Sequence, residues 1–271
     1  DFGLWVSSAA DTVRRASALG AEPFEQASGA GELDRPAIRG LGGSVLHFVD
    51  QESDLADIWQ VEFGIRPEEP ETSAILSRID HVAQTMRYED MLSWTLFFTS
   101  IFDMSKSPMI DVIDPDGLVR SQAIETLDGR VRITLNGAET HRTLAGSFAA
   151  RHFGSAVQHL AFATDDIFEM ADRLTKAGVE PLAMTSNYYA DIAARFDIAP
   201  DLLIRMEQSC VLYDEEAGAR YFQIYLKDMA GGLFFEIVQR EDAYTGYGAP
   251  NAPFRIAAQK RADRPKGMPS R

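Results

Sequence analysis

The chain has 271 residues, 45% of them hydrophobic, and its 26 basic and 41 acidic side chains give a formal charge of −15. That length can bury a substantial core in one large domain or two small ones, and the acidic balance argues against nucleic-acid binding, which needs clustered Lys and Arg. A single cysteine, Cys210, excludes an internal disulfide and fits a reducing, cytoplasmic setting, while no apolar run reaches the ~18 residues of a membrane span and no secretory pattern appears.

In chain order, the opening LWVSSAADTVRRASALGAEP reads as a short strand, a polar cap, an amphipathic helix and a glycine stop. The same order returns in LAFATDDIFEMADRLTKAGVEP at 160–181, where Thr164 or Asp165 is the expected cap and Gly178 the left-handed stop. GGSVLHFVDQ (42–51) and GGLFFEIVQR (231–240) are matching closing strands. Between them RIDHVAQTMRYEDMLSWTLFFTSIF reads as a strand and a helix, followed by strands around PMIDVIDP, LVRSQAIET and RVRITLN.

The plan is therefore a strand, a helix and several strands, three times over. Residues 1–51 read as the second half of an incomplete first module, and 52–77, with the acidic, proline-bearing RPEEPETSA, as a connector. Residues 78–259 read as two units that pair into one curved sheet around a pocket, and the basic end 260–271 as a mobile tail. The first copy has no mate, so about one further repeat is expected upstream of Asp1, and self-association is a second expectation.

Three metal-capable side chains stand in the middle of apolar strands: His81 in RIDHVAQ, His159 in VQHLAF and Glu236 in FFEIVQR. Burying any of them costs free energy unless it is paired. Alternation puts Ile79, His81 and Ala83 on one face, and Phe234, Glu236 and Val238 on another inward face. One such histidine reads as a satisfied core residue and one such glutamate as an ion-pair member. Three at nearly equal intervals read as the two-imidazole, one-carboxylate set of non-haem Fe(II) oxygenases. His47 aligns with Glu236, but Gly3 occupies the position of His159, so His47 reads as structural. His141 and His152 flank a predicted loop, and nothing near Cys210 activates its thiol. No P-loop, dinucleotide glycine pattern or Ser-His-Asp arrangement offers a rival chemistry.

At these residues the sequence resembles the 4-hydroxyphenylpyruvate dioxygenase family: IDHVAQ, GSAVQHLAF, SNYY and FFEIVQR match family segments in family order, across nearly the whole chain and most strongly from Arg78 to Arg240. The resemblance implies the vicinal-oxygen-chelate (glyoxalase/bleomycin-resistance/extradiol dioxygenase) fold, an α+β arrangement of repeated βαβββ units whose curved mixed sheets surround a metal pocket. More narrowly, GELDRPAIRGLGGSVLHFVD, DVIDPDGLVRSQAIE, NGAETHRTLAGSF and GYGAPNAPFRIAAQ are similar to the C-terminal, dioxygenase-like half of two-domain bacterial 3-dehydroshikimate dehydratases. In that branch a separate N-terminal sugar-phosphate-isomerase-like barrel forms protocatechuate, in quinate and shikimate degradation.

The resemblance makes His81, His159 and Glu236 the metal ligands and Ser121, Asn136, Gln158 and Gln223 the substrate-binding residues, and assigns no catalytic acid or base. The implied cofactor is a divalent ion, Fe2+ in a dioxygenase and otherwise Mg2+, Mn2+ or Co2+. The implied partners are a small aromatic or keto acid and the barrel of the parent chain. Two functions are implied: a metal-binding accessory domain of the dehydratase, or an Fe(II) dioxygenase. The latter would turn 4-hydroxyphenylpyruvate and O2 into homogentisate and CO2, or oxygenate another small aromatic acid. The sequence departs from the dioxygenases at Thr134 (proline there) and Gly137 (glutamate there). It departs again in the closing segment YGAPNAPFRIAAQ, where Pro250 and Pro253 limit where a helix begins and Phe254 is the candidate lid residue.

Overall fold

The computed structural model describes residues 1–65 and 75–263, so the connector stretch RPEEPETSA and residues 264–271 of the tail lie outside the described residues. The described residues form two compact units, 1–65 with 94–103, and 75–93 with 104–263.

In the first unit, β1 (Phe2–Trp5), α1 (Ala9–Ala18), β2 (Ala37–Arg39) and β3 (Val45–Val49) follow one another. β3 lies between a parallel β1 and an antiparallel β2. Ser8 caps α1 by accepting from the Asp11 amide. Ile38, Leu46 and Phe48 are fully buried, and the Phe48 ring packs 5.9 Å from Phe102. Residues 52–63, expected as connector, instead make a 3-10 turn at Asp54–Asp57 and α2 (Ile58–Phe63). The Ser53 hydroxyl caps that turn and buried Leu55 and Ile58 anchor it, signals that its polar composition masked.

The second unit is built on β4 (Leu76–Arg87), whose last residues lead into α3 (Tyr88–Ile101). Then come β5 (Met104–Lys106), β6 (Ile110–Asp114), β7 (Gly117–Thr126), β8 (Arg132–Ala138) and α4 (Leu144–Arg151). β9 (Ala156–Thr164), α5 (Ile167–Lys176), α6 (Ser186–Arg195), α7 (Pro200–Gln208), β10 (Leu212–Glu216), β11 (Ala219–Tyr225), β12 (Phe234–Glu241) and α8 (Ala252–Ala262) complete it. The strands make one curled mixed sheet in the order β10-β11-β12-β9-β4-β8-β7-β5, with β6 paired to β7. The first strands of the two repeats, β4 and β9, run antiparallel at its centre. Each is flanked by the parallel last strand of its own repeat, β8 and β12.

The helix signals need three adjustments. α5 is capped by Asp166, not Thr164 or Asp165: its Oδ1 accepts from the amides of Phe168 and Glu169, while Gly178 takes the left-handed stop at φ 72°. The segment between His141 and His152, expected as a loop, contains α4. Thr143 caps it, Ala145, Phe148 and Ala149 are buried, and His152 closes it with its ring 4.0 Å from Phe148. Residues 260–262, expected in the mobile tail, belong to α8, and Lys260 is ion-paired with Asp114 and Asp116. Against β10–β12 sits a core of Ile167, Leu174, Tyr188, Ile192, Met206 and Phe222. Among the described residues no helix is long and apolar enough to cross a membrane.

Candidate metal centre

Strand register brings the three expected donors together. His81 on β4 and Glu236 on β12 both pair with Ala161 of β9, while His159 lies one step along the same face of β9. His81 and Glu236 therefore start two strand spacings apart, roughly 10 Å, and converge over the Ala161 methyl. All three donors are buried, with one ligand atom from each within 4.8 Å of the others. Glu236 Oε2 is 3.5 Å from His81 Nε2 and 3.4 Å from His159 Nε2. Donors about 2.0–2.2 Å from a common ion stand at about this separation, so the set fits a divalent cation bound on one face with its other positions open.

The register also corrects the alternation expected of β4. The pairing steps from Ile79–Phe162 directly to His81–Ala161, so Asp80 is an extra residue on β4. Ile79 is consequently 51% exposed on the far side, whereas Asp80 and His81, although consecutive, are both buried. A second step, from Ala83–His159 to Gln84–Val157, leaves Gln158 as the extra residue on β9. Gln158 and His159 both line the same cavity.

The first shift supplies the partner that sequence reasoning missed. His81 Nδ1 donates to Asp80 Oδ1 at 2.9 Å, which fixes the tautomer and leaves Nε2 free to bind a metal. Arg240 grips the same carboxylate through Nε and NH2, each at 2.8 Å, and NH1 donates to the carbonyls of Tyr244 and Gly246. Burial would raise the Asp80 pKa, but Arg240 and His81 more than reverse this and hold it far below the carboxylate range. Burial likewise pulls His81 down, yet Asp80 and Glu236 leave its pKa raised. His159 is driven well below the ordinary histidine value by burial, then by His81 and Arg255, so it is neutral at neutral pH, the form that ligates a metal. The signal for this support was in RIDHVAQ itself, an aspartate beside the histidine inside an apolar strand.

Glu236 is held from behind. Gln223 Nε2 donates to Glu236 Oε1 at 2.7 Å, and Asn251 Nδ2 donates to Gln223 Oε1 at 2.6 Å. The Tyr188 hydroxyl donates to Asn251 Oδ1 at 3.0 Å, so the SNYY motif reaches the carboxylate through two amides. Gly248 covers this chain: a Cβ there would stand 2.4 Å from Gln223 Nε2, and the residue sits at φ 64°.

A cleft opens over the three donors. Ser121 and Asn136, opposite each other on β7 and β8, line it, as does Gln158, whose Oε1 accepts from Thr85 at 3.0 Å. Gln223, expected to touch substrate, does not line it and is spent on Glu236 and Tyr225. Phe254, the expected lid, instead packs edge-on to Tyr188 in the core. The neighbouring turn of α8 presents Ala252, Arg255 and Ile256 to the cleft. Gly137 is a packing requirement, because a Cβ would meet Met91 Sδ at 2.8 Å and Tyr88 Cα at 3.0 Å. His47 lies outside this unit, 3.7 Å from the Asp1 carboxylate, with its pKa lowered chiefly by burial. Burial also raises the Cys210 thiol, which keeps it protonated.

Comparisons with known proteins agree with this architecture. The model for hydroxyphenylpyruvate dioxygenase, HPPD, N-terminal matches residues 1–64. The glyoxalase/bleomycin resistance protein/dioxygenase superfamily model matches residues 78–196. The 3-dehydroshikimate dehydratase of Pseudomonas aeruginosa is 37% identical over 96% of this chain, which spans only 41% of that protein. A 4-hydroxyphenylpyruvate dioxygenase of Legionella pneumophila is 30% identical over 92% of this chain and 71% of its own length. A solved xylose isomerase-like TIM barrel/4-hydroxyphenylpyruvate dioxygenase fusion protein matches with a TM-score of 0.80 and 35% identity, covering 96% of this chain and 41% of that one. The curled sheet, the two-histidine, one-carboxylate cluster and these similarities together establish that the chain belongs to the 4-hydroxyphenylpyruvate dioxygenase family, with the vicinal-oxygen-chelate fold.

Proposed function

We propose that this chain is the metal-binding, dioxygenase-like domain of a cytoplasmic bacterial 3-dehydroshikimate dehydratase, joined in its parent to an N-terminal barrel that carries out the dehydration to protocatechuate. The observation that carries the metal reading is the convergence of His81, His159 and Glu236 on one point, with Asp80 bonded to His81 and Gln223 to Glu236. The dehydratase reading rests on 37% identity over 96% of the chain to a protein more than twice its length. In this reading His81, His159 and Glu236 are the ligands, and Ser121, Asn136 and Gln158 orient a small aromatic or keto acid in the cleft.

A bound divalent ion supplies Lewis acidity toward adjacent oxygens of such an acid and, when it is Fe(II), a place for dioxygen. The chain's own share is separate. Asp80 holds the His81 tautomer, Gln223 occupies one oxygen of Glu236 so that the other faces the donors, and Val112, Val119, Leu144 and Ile256 exclude water from the cleft. The intact donor set and open cleft also favour a second reading, an active Fe(II) dioxygenase of 4-hydroxyphenylpyruvate.

Oxygen uptake separates the two readings. The chain, loaded anaerobically with Fe(II) and then mixed with 4-hydroxyphenylpyruvate in air, is expected to bind the ion and consume no oxygen above the E236Q control. Uptake that depends on Glu236 would instead establish the dioxygenase. Formation of protocatechuate from 3-dehydroshikimate by this chain alone would overturn the assignment of dehydration to a barrel.

A further inference from the structure

Arg255 is the only charged residue besides the three donors that lines the cleft, among the described residues. Its guanidinium lies 5.1 Å from the centre of the Phe234 ring and 5.6 Å from that of Tyr225, and Phe234 stacks at 4.7 Å on His159. The cation is thus separated by one aromatic ring from His159, one of the three donors. It forms no salt bridge among the described residues. NH1 bonds to Gln259 one turn along α8, and Gln259 Nε2 in turn donates to Asp228, so the bonded path from Arg255 to that acid runs through an amide. Two aromatic rings and one side-chain amide hold the guanidinium in place without neutralising it.

The local charge count follows. Two neutral imidazoles, one carboxylate and a divalent ion sum to a single positive charge, and a chelating carboxylate or catecholate oxygen would cancel it. Arg255 adds a further positive charge in a half-buried cleft, where an unmatched charge is costly. A guanidinium presented to such a cleft fits a second carboxylate by paired hydrogen bonds. Resting on the metal reading above, we propose that Arg255 is the specificity anchor of this site. Its ligand is then a small organic acid that gives two adjacent oxygens to the metal and a separate carboxylate to Arg255.

Matched probe pairs test this in the Co2+-loaded chain by titration calorimetry. 2-Oxoglutarate and 2-oxovalerate share a chelating end and differ in a terminal carboxylate against a methyl. 3,4-Dihydroxybenzoate and catechol share a chelating end and differ in a carboxylate against a hydrogen. The wild type is expected to favour the carboxylate-bearing member of at least one pair by about 10- to 100-fold, the range of a charge-assisted hydrogen bond. R255Q is expected still to bind Co2+ and to reduce that preference to within threefold, and R255K to keep part of it. Co2+ binding with no preference in either pair, with no binding of any probe, or with a preference that survives in R255Q overturns the role of Arg255 alone. Failure to bind Co2+ overturns the metal reading and this inference with it.

Discussion

Asp80→Asn isolates the support behind the histidine. An asparagine of the same shape keeps an oxygen that can accept from His81 Nδ1, so the tautomer survives while the charge is lost. What changes is the ion pair. Arg240, gripping Asp80 at 2.8 Å through two nitrogens, loses the bond from Nε to Oδ2 and keeps, besides its bonds to the Tyr244 and Gly246 carbonyls, only a neutral acceptor at Oδ1. Breaking one side of a buried pair costs about 3–5 kcal/mol. Loss of a partner behind a metal-binding histidine lowers affinity about 10- to 100-fold. Urea unfolding reads the first quantity and competition between the protein and a chelator for Co2+ the second. The double variant D80N/R240M should unfold closer to wild type than D80N does, because it no longer buries an unmatched guanidinium. The pH dependence has a definite sign: the Asp80 pKa is depressed, so its contribution is full above the ordinary value of 3.8 and is lost as pH falls below it. D80N should flatten that acid limb. Unfolding free energy within 0.5 kcal/mol of wild type and Co2+ affinity within about twofold would refute the reasoning.

Two further outcomes are expected. Ala161→Val adds two methyls between His81 and Glu236, and should lower Co2+ affinity at least 100-fold while costing about 1–3 kcal/mol in urea unfolding; wild-type affinity would show that the space above Ala161 is not used. Lys260→Met leaves buried Asp114 without its cation and should cost about 1–3 kcal/mol near neutral pH. The Lys260 pKa is raised, so this difference from wild type should persist up to the ordinary lysine value of 10.5 and vanish as pH rises beyond it. A difference that stayed constant into strong alkali would assign the loss to side-chain packing.

The donors were legible because their chemistry is out of place: His81, His159 and Glu236 stand where apolar residues would be cheaper, and repetition aligned them. The β–α–β order of each copy was legible for a similar reason, since Gly178 and the paired GG-initiated strands punctuate it. The extra residues on β4 and β9 were not legible, because nothing in IDHVAQ or AVQHLAF distinguishes an interrupted alternation from a regular one. Asp80 beside His81 hints at a buried partner but not at the shift that seats it, and regular alternation puts Ile79 on the wrong face. The role of Gln223 was likewise hidden, because only the pairing of β11 with β12 shows that its amide meets Glu236 rather than a ligand. Phe254 was a candidate lid and Arg255 drew no reading, because adjacent helix residues point about 100° apart and two prolines obscure where the helix starts.

The pairing of β1 with β3 carries a consequence for the spare copy of the repeat. Gly3 lies directly across from His47, whereas His159 faces Phe234 and it is Ala161 that faces Glu236. The equivalent positions are thus two residues out of phase between the copies. A histidine written at Gly3 would stand beside His47 on a single rung, whereas His159 and Glu236 stand two residues apart along neighbouring strands. Point substitution alone cannot duplicate the centre in that copy; its ladder would first have to slide by one full pleat.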